Sequence, residues 1–361
     1  MLTNENYLER LLSGQISINE LILALENQIR FSNIYLQFVT PNTILYWKNL
    51  THYFAMAFAL WVFYKFFLKS KVLNFKTILS LTLPFKEIKY KTFKFDIYFY
   101  LMHILNIFPL FVRAAGILSL IYFMPIAFKA IGFYEFFLIK IIHEFIFTIS
   151  PDFRVILIFL LAFLLFDFFS FLGHYALHRI PLLWCFHQIH HYPEQMTIIS
   201  TVREHPICTI FISTLPSIAM SLIISIIIPF EISIASSPSS ILDNGLVFSI
   251  LTLPTIFAYF NHSKFPISFG KFEYIFLSPN SHLVHHSKHI VGKNMGSILS
   301  IWDQIFGTFY KIKDDEEFMQ IANNLGTDDA NDNEYDNFFA LFTGPFKKAY
   351  GLINKKRLTV L

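Results

Sequence analysis

His174-Tyr-Ala-Leu-His178-Arg-Ile-Pro-Leu-Leu-Trp-Cys-Phe-His187-Gln-Ile-His190-His191 emerges directly from an apolar run, Val155 to Gly173, in which Asp167 is the one charged interruption. A run of that length reads as a helix, and the i, i+4 spacing sets His174 and His178 on one face as it ends. His187, His190 and His191 then form HxxHH, whose i, i+3, i+4 spacing is expected to turn all three rings the same way. The same pattern recurs at His282, His285 and His286. Histidine fills 14 of 361 positions, so two such motifs arise by chance with a probability of roughly under one in a thousand. The rings belong to a site, and the helical spacing around them makes the expected fold all-α.

Outside this stretch the chain is unusually apolar. Hydrophobic residues make up 55%, Phe alone fills 45 positions and charged residues are 15%, with a mean hydropathy of +0.51. Soluble domains carry about a quarter charged residues, so the expectation is a polytopic helical membrane protein. The net charge of +3 is scattered rather than gathered on a basic face, which excludes nucleic acid as a partner. Cys185 and Cys208 form no CxxC pair, which excludes a thiolate metal site and a disulfide framework. Any metal is held by nitrogen or oxygen. Asn4, Glu5, Asn6, Glu9 and Arg10 precede any long apolar run; this is unlike a cleaved signal, so insertion is expected from internal segments.

Four segments are expected. Residues 1–45 read as an amphipathic N-terminal cap, opened by the capping box of Ser17 and Glu20. Residues 46–94 hold a first span, about Tyr53 to Phe67, and a lysine-rich loop whose charge favours the cytoplasmic side. Residues 95–312 form the catalytic domain with its transmembrane helices. Residues 313–361, with Asp314, Asp315, Glu316, Glu317, Asp328 and Asp329, read as an acidic polar tail, a solvated appendage. Within the third segment, Pro109, Arg113 and Gly116 break the run from Ile97 to Ile131 into a hairpin, or into one crossing plus an interfacial piece, and Phe133 to Ser150 suits an interfacial helix. A second hairpin, Ile207 to Phe230 and Leu246 to Phe260, returns the chain to its starting side, so residues 174–205 and 262–310 share a face and their histidines can meet. The expected location is a multi-pass one, in a bacterial inner membrane or the endoplasmic reticulum, with the histidines on the cytoplasmic face.

Chemistry accounts for these histidines better than packing. Rings gathered at one place repel if protonated and lack acceptors if neutral. A metal removes both problems. Neutral imidazole suits iron, zinc and copper, and eight or more rings exceed the four to six ligands of one ion, so two ions are implied. His143-Glu144 begins an HExxH pattern, but Phe147 stands where its second histidine belongs, so the zinc protease motif is absent. Asp167, inside an apolar run, needs a partner such as Arg203 or a ligand histidine.

The motifs taken together resemble the fatty acid hydroxylase/sterol desaturase superfamily. The residues that carry the resemblance are His174-Tyr-Ala-Leu-His178, His187-Gln-Ile-His190-His191, Arg203-Glu-His205-Pro206, Tyr259-Phe-Asn-His262-Ser263, His282-Leu-Val-His285-His286 and Asn294-Met-Gly-Ser-Ile-Leu-Ser-Ile-Trp302-Asp303-Gln-Ile-Phe306-Gly307-Thr308. It covers about residues 95 to 310. It implies a His-rich di-metal domain holding two iron ions that use O2 on a membrane lipid, with the three boxes as ligands and His262 as a ninth. His205 is either a ligand or a support for one, and Asp303 either orients an imidazole or closes its helix against Gly307. Hydroxylation of a lipid or sterol-like substrate is the expected reaction; the rival within the same chemistry is a C–C desaturation. A remoter reading is a membrane metal-binding or transport protein. No dinucleotide fingerprint, haem attachment motif or iron–sulfur cysteine set is present, so electrons are expected from a separate haem or iron–sulfur protein with its NAD(P)H reductase.

Overall fold

Proline placement decides where the helices around the site begin. The structure, a computed structural model, describes residues 91–104, 148, 150–227, 260–328, 335 and 337–358. In chain order these form α1 (Lys91–Ile104), α2 (Pro151–Arg179), α3 (Pro181–His191), α4 (Pro206–Ile227), α5 (Pro279–His285), α6 (Ile301–Ile305), α7 (Asp315–Ala322) and α8 (Phe338–Leu358). Four of them open on proline, whose missing N–H is no loss in a first turn. Ile180, which precedes Pro181, is extended at φ −97, ψ 110, as a residue before proline is forced to be. That single step ends α2, reverses the chain into α3 and sets His174 and His178 opposite His187 and His191.

No strand occurs among the described residues; only isolated antiparallel bridges join Phe276 to Leu299 and Ser287 to Leu325. The all-α expectation holds there. Taken over the described residues, no helix is long and apolar enough to cross a membrane, so the expected multi-pass arrangement is not seen in them. The N-terminal cap, the span at Tyr53 to Phe67, the lysine-rich loop as far as Lys89, most of the run from Ile97 to Ile131, nearly all of 133–150 and the arm from Leu246 lie outside the described residues.

The described residues divide between two compact units. One takes α2 up to Ser170 and α4 from Ile210. Its Asp167 is buried while Leu160, Leu161 and Phe166 are exposed, and Ser170 Oγ donates to the Phe166 carbonyl at 2.8 Å. The other unit takes α1, the end of α2 from Phe171, the chain on to Thr209 and all the later elements. Every histidine motif lies in it.

Two apolar clusters hold this second unit together. Phe95 and Phe99 of α1 meet Ile189, Tyr192, Tyr335 and Leu341. Leu283 and Val284 of α5 meet Met196 and the tail residues Phe318, Ile321, Ala322 and Leu325. Phe318, Ile321, Ala322, Leu325, Tyr335 and Leu341 are therefore packed into the core, which the expected solvated appendage would not be. Its acidic residues mark the first turn of α7, where Asp314 Oδ1 accepts from Glu317 N at 2.8 Å and negative charge suits the helix dipole. The apolar residues behind them face inward, which average composition hides.

Candidate metal centre

Nine histidines converge in two sets. His174, His178, His187, His191 and His285 each present one nitrogen, all within 4.8 Å of one another, and His190, His262, His282 and His286 do the same. The three rings of each HxxHH do not point one way, as their spacing suggested; they split. His187 and His191 join the set of five while His190 joins the four; His282 and His286 join the four while His285 joins the five. Helix geometry explains the split. At about 100° per residue, i+4 lies about 40° to one side of i and i+3 about 60° to the other. An i, i+4 pair therefore serves one set and the i+3 ring serves its neighbour, so each HxxHH bridges both.

Backbone carbonyls fix the direction of three rings. His174 Nδ1–H donates to the Met295 carbonyl at 2.9 Å, His285 Nδ1–H to the Lys293 carbonyl at 2.9 Å and His190 Nδ1–H to the Arg203 carbonyl at 3.0 Å. A carbonyl only accepts, so the proton sits on Nδ1 and the Nε2 lone pair is free to face inward. The carbonyls are held in turn. Asn294, at a positive φ of 51, donates from Nδ2 to the carbonyls of Ser281 and Tyr310 at 2.9 and 2.8 Å and so pins the bend between Lys293 and Met295. Asp303 accepts from Met295 N at 2.7 Å, Gly296 N at 2.9 Å and Thr308 Oγ1 at 2.6 Å. Arg203 is buried with Asp96 of α1, at 2.5 Å, and also donates to the Thr92 carbonyl.

The inward nitrogens fit metal and little else. His174 Nε2 lies 3.2 Å from His187 Nε2. In the four-ring set, Nε2 of His190, His262, His282 and His286 follow one another at 3.1, 3.3 and 3.2 Å. Neutral imidazole has one N–H, and His190 spends its own on Arg203. An Nε2 either carries a proton or accepts one, so with His190 accepting, the single His262 proton would have to serve both of its contacts. Nε2 of His178, His191 and His285 are buried without a protein partner. Burial holds His174 and His190 down at about 4 and the other seven rings well below the usual imidazole value, with neighbouring rings adding to the effect. Converging, unprotonated and buried nitrogens are the donor set that a divalent cation takes. The half-buried Trp184 covers one side, its ring 5.0 Å from His178 and 5.4 Å from His191.

The structure brings together the nine histidines of the boxes and His262 and places the other three candidates elsewhere. His205 joins neither set: its Nδ1 accepts from Ile207 N at 3.2 Å, so Nε2–H donates to the Phe342 carbonyl at 3.2 Å, which caps α4 and ties down α8. Asp303 also joins neither set; it acts through the backbone at Met295 and not on an imidazole. Burial raises its carboxyl above the usual value, against the pull of three donors. Asp167 lies in the other unit, and Arg203, the partner suggested for it, is engaged by Asp96. The carbonyls of Arg203, Lys293 and Met295 had no sequence signal, because any residue type supplies one. Asn294 alone hinted at its loop, since Asn tolerates positive φ.

Comparison with known proteins agrees with this geometry. Residues 159–308 match the fatty acid hydroxylase family. The chain is 27% identical over 170 residues to an alkylglycerol monooxygenase of Danio rerio, covering 46% of this chain and 33% of that one. Its likeness to the alkylglycerol monooxygenase of Homo sapiens is 26% over 196 residues, 54% of this chain and 39% of the relative. It is 31% identical over 148 residues to an ornithine lipid hydroxylase of Rhizobium tropici, 40% of this chain and 39% of the relative. The chain thus spans about a third of the length of the curated relatives it matches. No solved structure matches it. Residues 159–308, which contain all nine converging histidines, are similar to the fatty acid hydroxylase family, so the resemblance that the motifs carry is supported over that segment.

Proposed function

We propose that this chain is a membrane-bound non-haem oxygenase that holds two iron ions between its five-histidine and four-histidine sets and hydroxylates a lipid with O2. The observation that carries the reading is the division of nine inward-facing imidazoles, seven buried and His174 and His178 half-buried, into two adjacent sets. Two iron ions there would supply the power to activate O2 and to break an unactivated C–H bond. The chain's own part is positional. Met295, Lys293 and Arg203 carbonyls hold the imidazole protons on Nδ1 and keep Nε2 unprotonated. Burial of the rings keeps water from them. The names of the relatives, monooxygenase and hydroxylase, favour oxygen insertion over the desaturation that the same site would also support, and both relatives act on lipids by name. Bilayer residence is supported by the apolar composition, with the histidine face toward the cytoplasm beside the lysine-rich loop. Electrons would come from a haem or iron–sulfur donor protein with its NAD(P)H reductase.

The test is product analysis. The protein, purified with iron and given O2, a reduced donor and extracted lipids, is expected to add one oxygen to a lipid. Loss of two hydrogens instead would make it a desaturase, and metal binding with no lipid change would leave the transport reading. His285→Ala removes a ring from the five-histidine set; if the lipid profile stays unchanged, the reading is sunk.

A further inference from the structure

Helix α8, outside the family-matched segment, has an apolar face that the described residues leave largely open. Phe339 is 78% exposed, Phe346 52%, Tyr350 68% and Ile353 44%. At about 100° per residue these four fall within an arc of about 60°. Its inward residues adjoin that arc: Leu341 and Ala349 are buried, Phe338 and Phe342 pack on the cluster of Phe95 and Phe99, and the half-open ring of Phe346 also meets Phe186 at 5.1 Å and His205 at 5.7 Å. The sequence from Phe338 to Leu358 holds five basic residues, Lys347, Lys348, Lys355, Lys356 and Arg357, and no acidic one. One of the five is engaged inside the protein, Lys348 Nζ donating to Gln188 Oε1 at 2.9 Å. An apolar stripe of aromatic and branched residues on a helix of uniform positive charge is the composition of a segment that lies in a membrane interface. Its charge complements acidic headgroups.

We infer that α8 docks flat on an anionic lipid surface through Phe339, Phe346, Tyr350 and Ile353. The occupant follows from the charge: a neutral surface would leave the basic excess without a counterpart, and a second copy of α8 would set positive helix against positive helix. Docking bears directly on the histidines. α8 receives the His205 hydrogen bond at Phe342 and reaches Gln188, inside the His187 to His191 motif, through Lys348. The inference does not depend on which reaction the histidines carry.

The full-length protein as Tyr350→Cys tests it. Cys185 and Cys208 are buried, so an environment-sensitive thiol label attaches to the new cysteine. The labelled protein is reconstituted into vesicles of phosphatidylcholine alone or with phosphatidylglycerol, recovered by flotation, and quenched with acrylamide. Quenching is expected to fall about threefold with phosphatidylglycerol and to return with Phe339→Ser and Ile353→Ser added. Equal quenching in both vesicles overturns the inference while flotation keeps membrane residence intact. Protection that follows protein concentration rather than lipid assigns the face to a second copy and likewise overturns it. Failure to float with either vesicle overturns docking and membrane residence together.

Discussion

Asp303 touches no imidazole, yet it holds the loop whose carbonyl aims His174. Asp303→Asn puts an amide where Met295 N, Gly296 N and Thr308 Oγ1 donate to two oxygens, so one of these donors loses its acceptor. The expected result is a loss of metal affinity of about 10–100-fold, typical of groups that orient ligand histidines, measured by competitive chelation. Unchanged affinity would reduce Asp303 to a cap on α6. Protonation acts on the same residues. Free imidazole titrates near 6.5, whereas His174, His190 and His205 are held at about 4. Between those values the unfolded chain binds more protons than the folded one, so stability is lost as the pH falls from about 6.5 toward 4. A melting temperature that falls across this window in metal-free protein checks the sign; one that rises contradicts it. Motif spacing announced the histidines at this scale but not their division, because spacing says which rings are near one another and not which side of the helix each ion occupies.

Among the elements, α1 supports the site from a distance. Asp96 pairs with the buried Arg203, whose carbonyl aims His190. Burial pushes the Asp96 carboxyl up to about 6 against the pull of the guanidinium, which leaves it charged at neutral pH. Asp96→Asn strands a buried cation and is expected to cost about 3–5 kcal/mol, read as a lowered melting temperature, with reduced metal content. A neutral effect would mean that water reaches Arg203. Helix starts were legible because proline writes them into the sequence at Pro181 and Pro206. The Arg203–Asp96 pair was not, since the two residues stand far apart in the chain and nothing local links them, whereas Asp167 drew notice by interrupting an apolar run.

For the whole second unit, the tail decides integrity. Deleting residues from Asp314 onward would uncover Met196, Leu283 and Val284 beside the third histidine motif. Such a deletion is expected to give aggregated protein by size exclusion, whereas loss of a solvated appendage would leave elution and metal content as they were. Composition misled here because α7 gathers its acidic residues in its first turn and packs Phe318, Ile321 and Ala322 inward.

The two histidine sets are steadied by different parts of the chain: the five by the loop from Lys293 to Gly296, the four by Arg203, which Asp96 of α1 holds. If each set holds an ion, the two positions would differ in affinity, although each HxxHH serves both. A protein built this way would fill and empty its two positions in order rather than together, and the half-loaded form would be a distinct species with its own lifetime.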